Sequence, residues 1–216
     1  MINKSKGAQQ YFDRVPKEWD ALYSHENRFM YWINRIFRKG LYQRYQLTFE
    51  NCGNITGARV LDIGCGTGRY SIEFAKRGAA QVVGFDFAPA MVAFSQNMAR
   101  EVGVADICSF ICADFLTYDF EEPFDIVVAL GFFDYIREPE PFFQKISSLT
   151  KRCFLASFPG DSLLWGTQRK IRYHLIKKCP LYFYSLDQLK NLYLRSRFTN
   201  HNIIPSGSGF FGIGNK

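Results

Sequence analysis

The stretch Val60-Leu61-Asp62-Ile63-Gly64-Cys65-Gly66-Thr67-Gly68 constrains this chain more than any other. A short apolar run meets three glycines within five residues, then a segment at helical spacing (residues 69–77) that Gly78 stops. Strand, tight loop and helix in that order open a βα unit, whose sheet is parallel and covered on both faces. Glycine lets the backbone turn sharply and approach a ligand, and the N-terminus of the next helix offers free N–H groups to an anion. The spacing is G-x-G-x-G, and Arg69 stands where the dinucleotide pattern G-x-G-x-x-G has its third glycine. Asp62, two residues before the first glycine, repels a pyrophosphate but can anchor an ammonium group, directly or through water. The loop therefore suits a nucleoside with a charged amino-acid tail better than a nicotinamide dinucleotide.

The same alternation continues downstream. Strands are expected at residues 81–85 (ending at Asp86), 107–112, 125–130 and 153–158, and helices at 89–102, 138–149 and 185–196. Pro89 opens one helix where its missing N–H is harmless, and Ser185 caps another. Residues 202–204 and 210–213 flank a Pro/Gly/Ser turn, so the parallel sheet is expected to end in an antiparallel hairpin at its edge. Residues 159–184 read as a basic insertion. Before residue 58 the chain is helical, with a break at Pro16 and a longer helix over about 28–49 that Gly40 weakens. The expected organisation is an amino-terminal helical cap or lid (residues 1–57) on an α/β core (58–216).

Three acids end three successive strands: Asp62 in the first, Asp86 in the second and Asp114 just after the third. In an open α/β sheet all three fall at the carboxyl edge, where ligands bind. Asp86 lies twenty residues past Gly66, the place of a carboxylate that accepts both ribose hydroxyls of an adenosine. Phe87 can lie against the adenine face, and Asp114 and Phe115 can receive its amino group and ring edge. Taken singly, each acid is also an ordinary cap of the next turn or helix.

Charge narrows the partners. Residues 1–57 carry nine Lys/Arg against five Asp/Glu, residues 58–150 seven against thirteen, and residues 151–216 eleven against two, or +4, −6 and +9. An acidic centre between basic ends is either ordinary solvated surface or a rim that attracts an anionic substrate, nucleic acid or a membrane surface. None of the six cysteines forms a C-x-x-C pair, so no metal site is expected. They read as reduced, buried thiols of a cytoplasmic protein. No apolar run approaches the roughly 20 residues of a membrane span, and the amino terminus lacks the apolar core of a secretory signal.

The segments LDIGCGTG, VVGFD, CADF and FDIVVAL, in that order, resemble the successive motifs of class I S-adenosylmethionine-dependent methyltransferases. The resemblance covers residues 58–158 closely and the closing hairpin in outline. It implies a Rossmann-like, mostly parallel seven-stranded sheet with an antiparallel carboxyl-terminal hairpin. It also implies S-adenosylmethionine as cofactor and S-adenosylhomocysteine as product. The glycine loop falls on the methionine part, the second strand's acid on the ribose and the third strand's acid on the adenine. The cofactor contacts so expected are Tyr11, Asp62, Gly64, Cys65, Gly66, Asp86, Phe87, Met91, Asp114, Phe115 and Leu130, with Tyr11 and Tyr23 where many small-molecule members place a lid. The layout, a helical amino-terminal region, this core and a basic insertion after the fifth strand, is similar to that of magnesium-protoporphyrin O-methyltransferases.

The acceptor is expected after the fourth strand, around Leu130, Gly131, Phe132, Phe133, Asp134 and Tyr135. The N/D-P-P-Y/F signature of enzymes acting on exocyclic amines of nucleobases is absent there. Phe132 and Phe133 suit an apolar or flat acceptor, or else pack under the next helix. Arg169, Arg172 and Tyr173 can grip a carboxylate or phosphate, or form a solvated face. Candidates for a general base, where one is needed, are Tyr23, His25, Asp134, Tyr135 and His174. The reading is a methyltransferase acting on O or N of a small, anionic and partly apolar acceptor. The alternatives are an RNA methyltransferase, without a separate RNA-binding module, and a cofactor-binding subunit that activates a partner. The basic helix over residues 28–49, with Arg35, Arg38, Lys39 and Arg44, either contacts a membrane peripherally or is simply packed with a charged outer face. Oligomeric state is not legible.

Overall fold

The computed structural model describes residues 28–160, 181–207 and 209–216, with side chains along the first helix from residue 40 onward. Helix α1 (Arg28–Asn51) runs without interruption through Gly40. It leads into β1 (Arg59–Ile63), α2 (Arg69–Lys76), β2 (Gln81–Asp86), α3 (Pro89–Glu101), β3 (Cys108–Cys112) and β4 (Phe124–Ala129). A single 3₁₀ turn (Phe133–Tyr135), α4 (Glu140–Leu149), β5 (Thr150–Pro159), α5 (Leu186–Leu194), β6 (Asn200–Ser206) and β7 (Gly209–Asn215) complete the chain.

The seven strands lie in the order β3-β2-β1-β4-β5-β7-β6. All neighbours from β3 to β5 are parallel. The hairpin is antiparallel as expected, but β7 inserts beside β5 and leaves β6 at the edge. Strand order reverses between β1 and β4, and such a switch point opens a crevice at the carboxyl ends of the strands.

Strands buried on both faces read as continuous apolar runs, and β4 obeys this with Ile126, Val127, Val128 and Ala129 all fully buried. Successive residues face opposite layers. Val60, Ile126, Val128 and Leu155 pack with Phe49, Cys52, Ile72, Phe74 and Val92 under α1, α2 and α3. Leu61, Val127, Ala129 and Phe154 pack with Phe143, Ile146, Leu189 and Tyr193 under α4 and α5. At the amino ends of the strands, the Arg59 N–H donates to Asp125 Oδ2 at 2.8 Å and its Nε to Gln81 Oε1 at 2.9 Å. The same side chain pairs with Glu122.

Helix ends follow their local chemistry. Pro89 occupies the first turn of α3. Ser185 and Gln188 make a reciprocal capping box at α5, with the Gln188 N–H donating to Ser185 Oγ and the Ser185 N–H to Gln188 Oε1. Cys112 is exposed, against the expectation of a buried thiol: it sits at the carboxyl end of the edge strand β3, past Cys108 and Phe110, which are buried on the same face. Cys52, Cys65, Cys108 and Cys153 are buried free thiols. Among the described residues, no helix is long and apolar enough to cross a membrane.

Gly84, mid-strand in β2, is where the sheet meets the glycine loop most tightly. A methyl group there would strike the Phe110 ring and come 3.1 Å from Cys65 Sγ. Phe110 and Cys65 are both buried and have no room to yield. Overpacking of this kind costs about 1–3 kcal/mol, so Gly84→Ala should lower unfolding stability by about 2 kcal/mol in denaturant melts. A loss under about 0.5 kcal/mol would mean that Phe110 repacks freely.

Candidate active site

The loop after β1 departs from regular backbone at each of its glycines: Gly64, Gly66 and Gly68 have φ of 69°, 53° and 78°. Positive φ is open to glycine at little cost and to other residues rarely. The three then differ in surroundings. A side chain at Gly64 would collide with Phe132, at 2.9 Å from its Cδ2, and one at Gly68 would collide with Ser95 Cβ at 2.7 Å. At Gly66 an added Cβ meets nothing within 4 Å. The outer glycines are therefore packing requirements, and the middle one presents bare backbone to open space.

Asp86, at the end of β2, fastens this loop. Its Oδ2 accepts the Gly66 N–H at 2.9 Å, and its Oδ1 accepts the Ala88 N–H at 2.9 Å. The Gly64 and Cys65 N–H groups both donate to the Phe85 carbonyl. Asp114 makes the corresponding local bond, accepting the Leu116 N–H at 2.9 Å, and is exposed at the edge of the sheet. Both acids thus close a local turn two residues on and neither caps a helix, since α3 starts after Ala88 without a side-chain cap; in Asp86 the turn bond coexists with the loop contact.

Asp62 is 2% exposed in β1, and the Ser71 hydroxyl donates to its Oδ2 at 2.7 Å. Burial pushes its carboxyl up to about 6; bonds from the Ser71 side chain and backbone pull it down, the charge of Asp86 pushes it further up and that of Arg44 draws it back. Cys65 lies at the same place, its thiol pushed well up by burial and by the charges of Asp86 and Asp62. It is held protonated and is no nucleophile.

Arg44 was not foreseen as a site residue. It does not lie on an outer basic face of α1: it is half-buried and reaches over the sheet edge. Its Nη1 donates to Ser157 Oγ at 3.5 Å and its Nε to the Tyr70 hydroxyl at 3.3 Å. The helical stripe Leu41, Arg44, Thr48 and Cys52 carried the signal, since Thr48 and Cys52 are fully buried and a cation in line with them needs a partner.

The turn beyond β4 closes the crevice. Leu130 is buried, Gly131 has φ of 81°, and the Gly131 N–H donates to Ser157 Oγ at 2.8 Å. Phe132 lies half-buried against Gly64 and packs edge-on to Phe133 and Phe142. Phe133 has no exposed surface, stacked among Phe143 and Phe158, so it backs the site and does not face it. Met91 and Phe115 are likewise buried, while Phe87 is half-buried beside Asp86. Asp134 is buried in the 3₁₀ turn and Tyr135 is half-buried. The Asp134 carbonyl accepts the Tyr182 N–H at 2.9 Å, which brings residues 181–184 back against this turn and the end of β5. Tyr11, Tyr23, His25, Arg169, Arg172, Tyr173 and His174 lie outside the described residues.

The fold brings Asp62, Gly64, Cys65, Gly66, Asp86, Leu130 and Phe132 together with Arg44 and Ser157 around the switch point. Two carboxylates, one guanidinium and bare glycine backbone are a site for a zwitterionic, hydroxyl-bearing ligand.

The Asp62 shift is a linkage statement. Burial favours the neutral carboxyl, so the folded chain holds this proton more tightly than the unfolded one. Its contribution to stability is fullest below about pH 4, the ordinary carboxylate range, and is lost as pH rises through about 6. At about 1.4 kcal/mol per pKa unit, about 3 kcal/mol is in play. The stability difference between wild type and Asp62→Asn should therefore change by about that amount between pH 4 and pH 8 in urea melts. A constant difference would show that Asp62 titrates normally.

Known proteins resemble this chain in sequence and in fold. A family described as a methyltransferase domain matches residues 55–171. A ubiquinone biosynthesis O-methyltransferase of Pseudomonas fluorescens (strain SBW25) is 34% identical over 114 residues, 53% of this chain and 46% of the relative. The chain thus spans about half the length of the curated relatives it matches. Among solved structures, the magnesium protoporphyrin IX methyltransferase of Synechocystis PCC 6803 with bound SAH superposes with a TM-score of 0.74 at 22% identity, covering 98% of both chains. The geranyl diphosphate C-methyltransferase of Streptomyces coelicolor A3(2) does so with a TM-score of 0.65 at 16% identity, over 79% of this chain and 74% of that one. At such identities the two structures speak for the fold. The family match spans more than half of the chain, and the protein belongs to the methyltransferase domain family.

Proposed function

We propose that this chain is an S-adenosylmethionine-dependent methyltransferase acting on an O or N atom of a small, anionic and partly apolar acceptor. One observation carries the reading: the bare backbone of Gly66 is held to the carboxylate ending β2, beside a buried acid on β1 and a guanidinium from α1. S-adenosylmethionine, when bound, supplies a methyl group already activated on a sulfonium. What the chain must add is position and dryness.

Each residue has a part in that task. Asp86 keeps lone pairs for the ribose hydroxyls while its backbone bonds fix the carboxylate. The Asp62 charge attracts the ammonium of the aminoacyl tail, and Arg44 attracts its carboxylate. Asp114 and Phe115 border the adenine end, with Phe87 and Met91 alongside. Leu130 and Phe132 wall the path between cofactor and acceptor. Tyr11 and Tyr23 belong to the cap proposed for residues 1–57. Arg169, Arg172 and Tyr173, from the basic insertion, supply the grip on the acceptor's anion.

An acceptor carboxylate needs no base, whereas a phenol or amine must lose a proton in the transfer. For the latter case Asp134, Tyr135, His25 and His174 are the groups to test. Partly apolar character is supported by the half-buried Phe132, Tyr182 and Phe183 around the turn after β4. The names of the curated relatives, O-methyltransferases of ubiquinone biosynthesis, support a small-molecule acceptor over nucleic acid.

Methyl-labelled S-adenosylmethionine incubated with source-cell extract tests the reading. Label is expected in lipid or small-molecule fractions and not in RNA, with Asp86→Ala as the blank. Label confined to RNA or protein would overturn the small-molecule assignment. Asp86→Ala should weaken S-adenosylhomocysteine binding by about 1.5 kcal/mol or more in calorimetry, through lost charge-assisted bonds. Unchanged affinity removes Asp86 from the ribose.

A further inference from the structure

Ser157 stands on β5, two residues before the strand ends, between buried Ala156 and Phe158. An alanine would satisfy the packing at such a place. Its hydroxyl oxygen instead collects two donors from other elements: the Gly131 N–H at 2.8 Å and Arg44 Nη1 at 3.5 Å. The turn after β4, the strand β5 and the helix α1 thus converge on one oxygen. Gly131 is bound to the same spot by shape, since a side chain there would come 3.0 Å from Arg44 Nη1. At the other side of the guanidinium, Nε donates to the Tyr70 hydroxyl at 3.3 Å.

A long cationic side chain has many rotamers, and ordering it costs about 2 kcal/mol when nothing holds it beforehand. Contacts on two sides of the fork select one arrangement before a ligand arrives, and preorganisation of this kind appears as affinity. The Gly131 bond does the same for the turn that faces the ligand.

We propose that Ser157 is a positioning residue: its hydroxyl fixes the Arg44 guanidinium and the Gly131 amide relative to each other. It thereby sets the affinity for the aminoacyl end of the cofactor. This rests on the reading above, in which Arg44 meets that end. Ser157 acts through Arg44 and Gly131 and needs no contact with the reacting atoms.

Threonine and valine are nearly isosteric and suit a strand, so they isolate the hydroxyl from the volume. Two ligands isolate the tail: S-adenosylhomocysteine, and 5′-methylthioadenosine, which shares the nucleoside and thioether but has no aminoacyl group. Affinities for both would be measured by calorimetry on wild type, Ser157→Thr, Ser157→Val and Ser157→Ala, with thermal unfolding to verify that each is folded. In Val and Ala, S-adenosylhomocysteine should bind about tenfold more weakly, the scale of one hydrogen bond. The Thr variant should stay near wild type, and 5′-methylthioadenosine should change by less than about twofold throughout. Parallel losses for both ligands would reveal general loosening and overturn the proposal, as would a Val variant with unchanged affinity. Should Val fail to fold, Ala against Thr carries the same comparison. A wild type that binds neither ligand overturns the cofactor reading, and the proposal with it. Equal binding of the two ligands by wild type overturns the Arg44 assignment alone, and with it the role of Ser157.

Discussion

The hydrogen bond from the Gly66 N–H to Asp86 is the interaction on which the site depends. It joins the loop of one βα unit to the strand end of the next, so the cradle belongs to a pair of units. Its second oxygen is committed to the Ala88 N–H, which prevents the carboxylate from swinging toward solvent. A loop of three left-handed glycines has much conformational entropy to lose. A fixed anion beside it offsets part of that loss by engaging an amide that no strand or helix serves. The crevice at the switch point is open because backbone, not side chain, lines it there.

The charges around that bond are unbalanced in a useful way. Asp62 is deep enough for burial to move its carboxyl up to about 6, and the charge of Asp86 adds to that rise. Arg44 offsets this from outside the sheet, arriving on a helix that precedes the first strand. Among the described residues, Arg44 faces Asp62 and Asp86, an excess of negative charge that suits a ligand bearing an ammonium. The sulfonium of the proposed donor is a second positive charge for the same field. Burial, with the charges of Asp86 and Asp62, pushes the Cys65 thiol well up and so keeps a potential nucleophile protonated beside the place proposed for the methyl donor.

Much of this was legible in the sequence because local chemistry and tertiary need agree there. The glycine loop, the acids at the strand ends, Pro89 and the Ser185 cap each satisfy a backbone requirement that sequence reveals directly. Boundaries failed where polar residues join strands or glycines fill them. β5 starts at Thr150, with Lys151 and Arg152 exposed at its open end. β7 runs from Gly209 to Asn215, beyond the expected 210–213, and carries Gly212 and Gly214. Their lack of side chains is what admits the Tyr193 and Phe198 rings against the strand. That packing also accounts for β7 lying inside and β6 at the edge, an order no single strand encodes. Gly40 does not break α1, although a Cβ there would meet nothing; the helix is tied to the hairpin turn beside it by the Gly207 N–H, which donates to Gln43 Oε1.

The residues that sequence reading missed, Arg44, Ser71 and Ser157, share a character. None belongs to a motif, and each touches the site through a partner on another element: Asp62 for Ser71, Ser157 for Arg44, and the Gly131 N–H for Ser157. A motif marks the atoms that meet a ligand, whereas the groups that hold those atoms still are chosen by the three-dimensional meeting of elements. In this chain that meeting involves α1, which docks across β5, β6 and β7 and inserts its cation at the mouth of the crevice. Loosening α1 would therefore withdraw Arg44 from the crevice while leaving every glycine and acid of the core in place. In the proposed reading the helix before the first strand is therefore part of the binding chemistry, and a division into cap and core at residue 57 cuts through the proposed site.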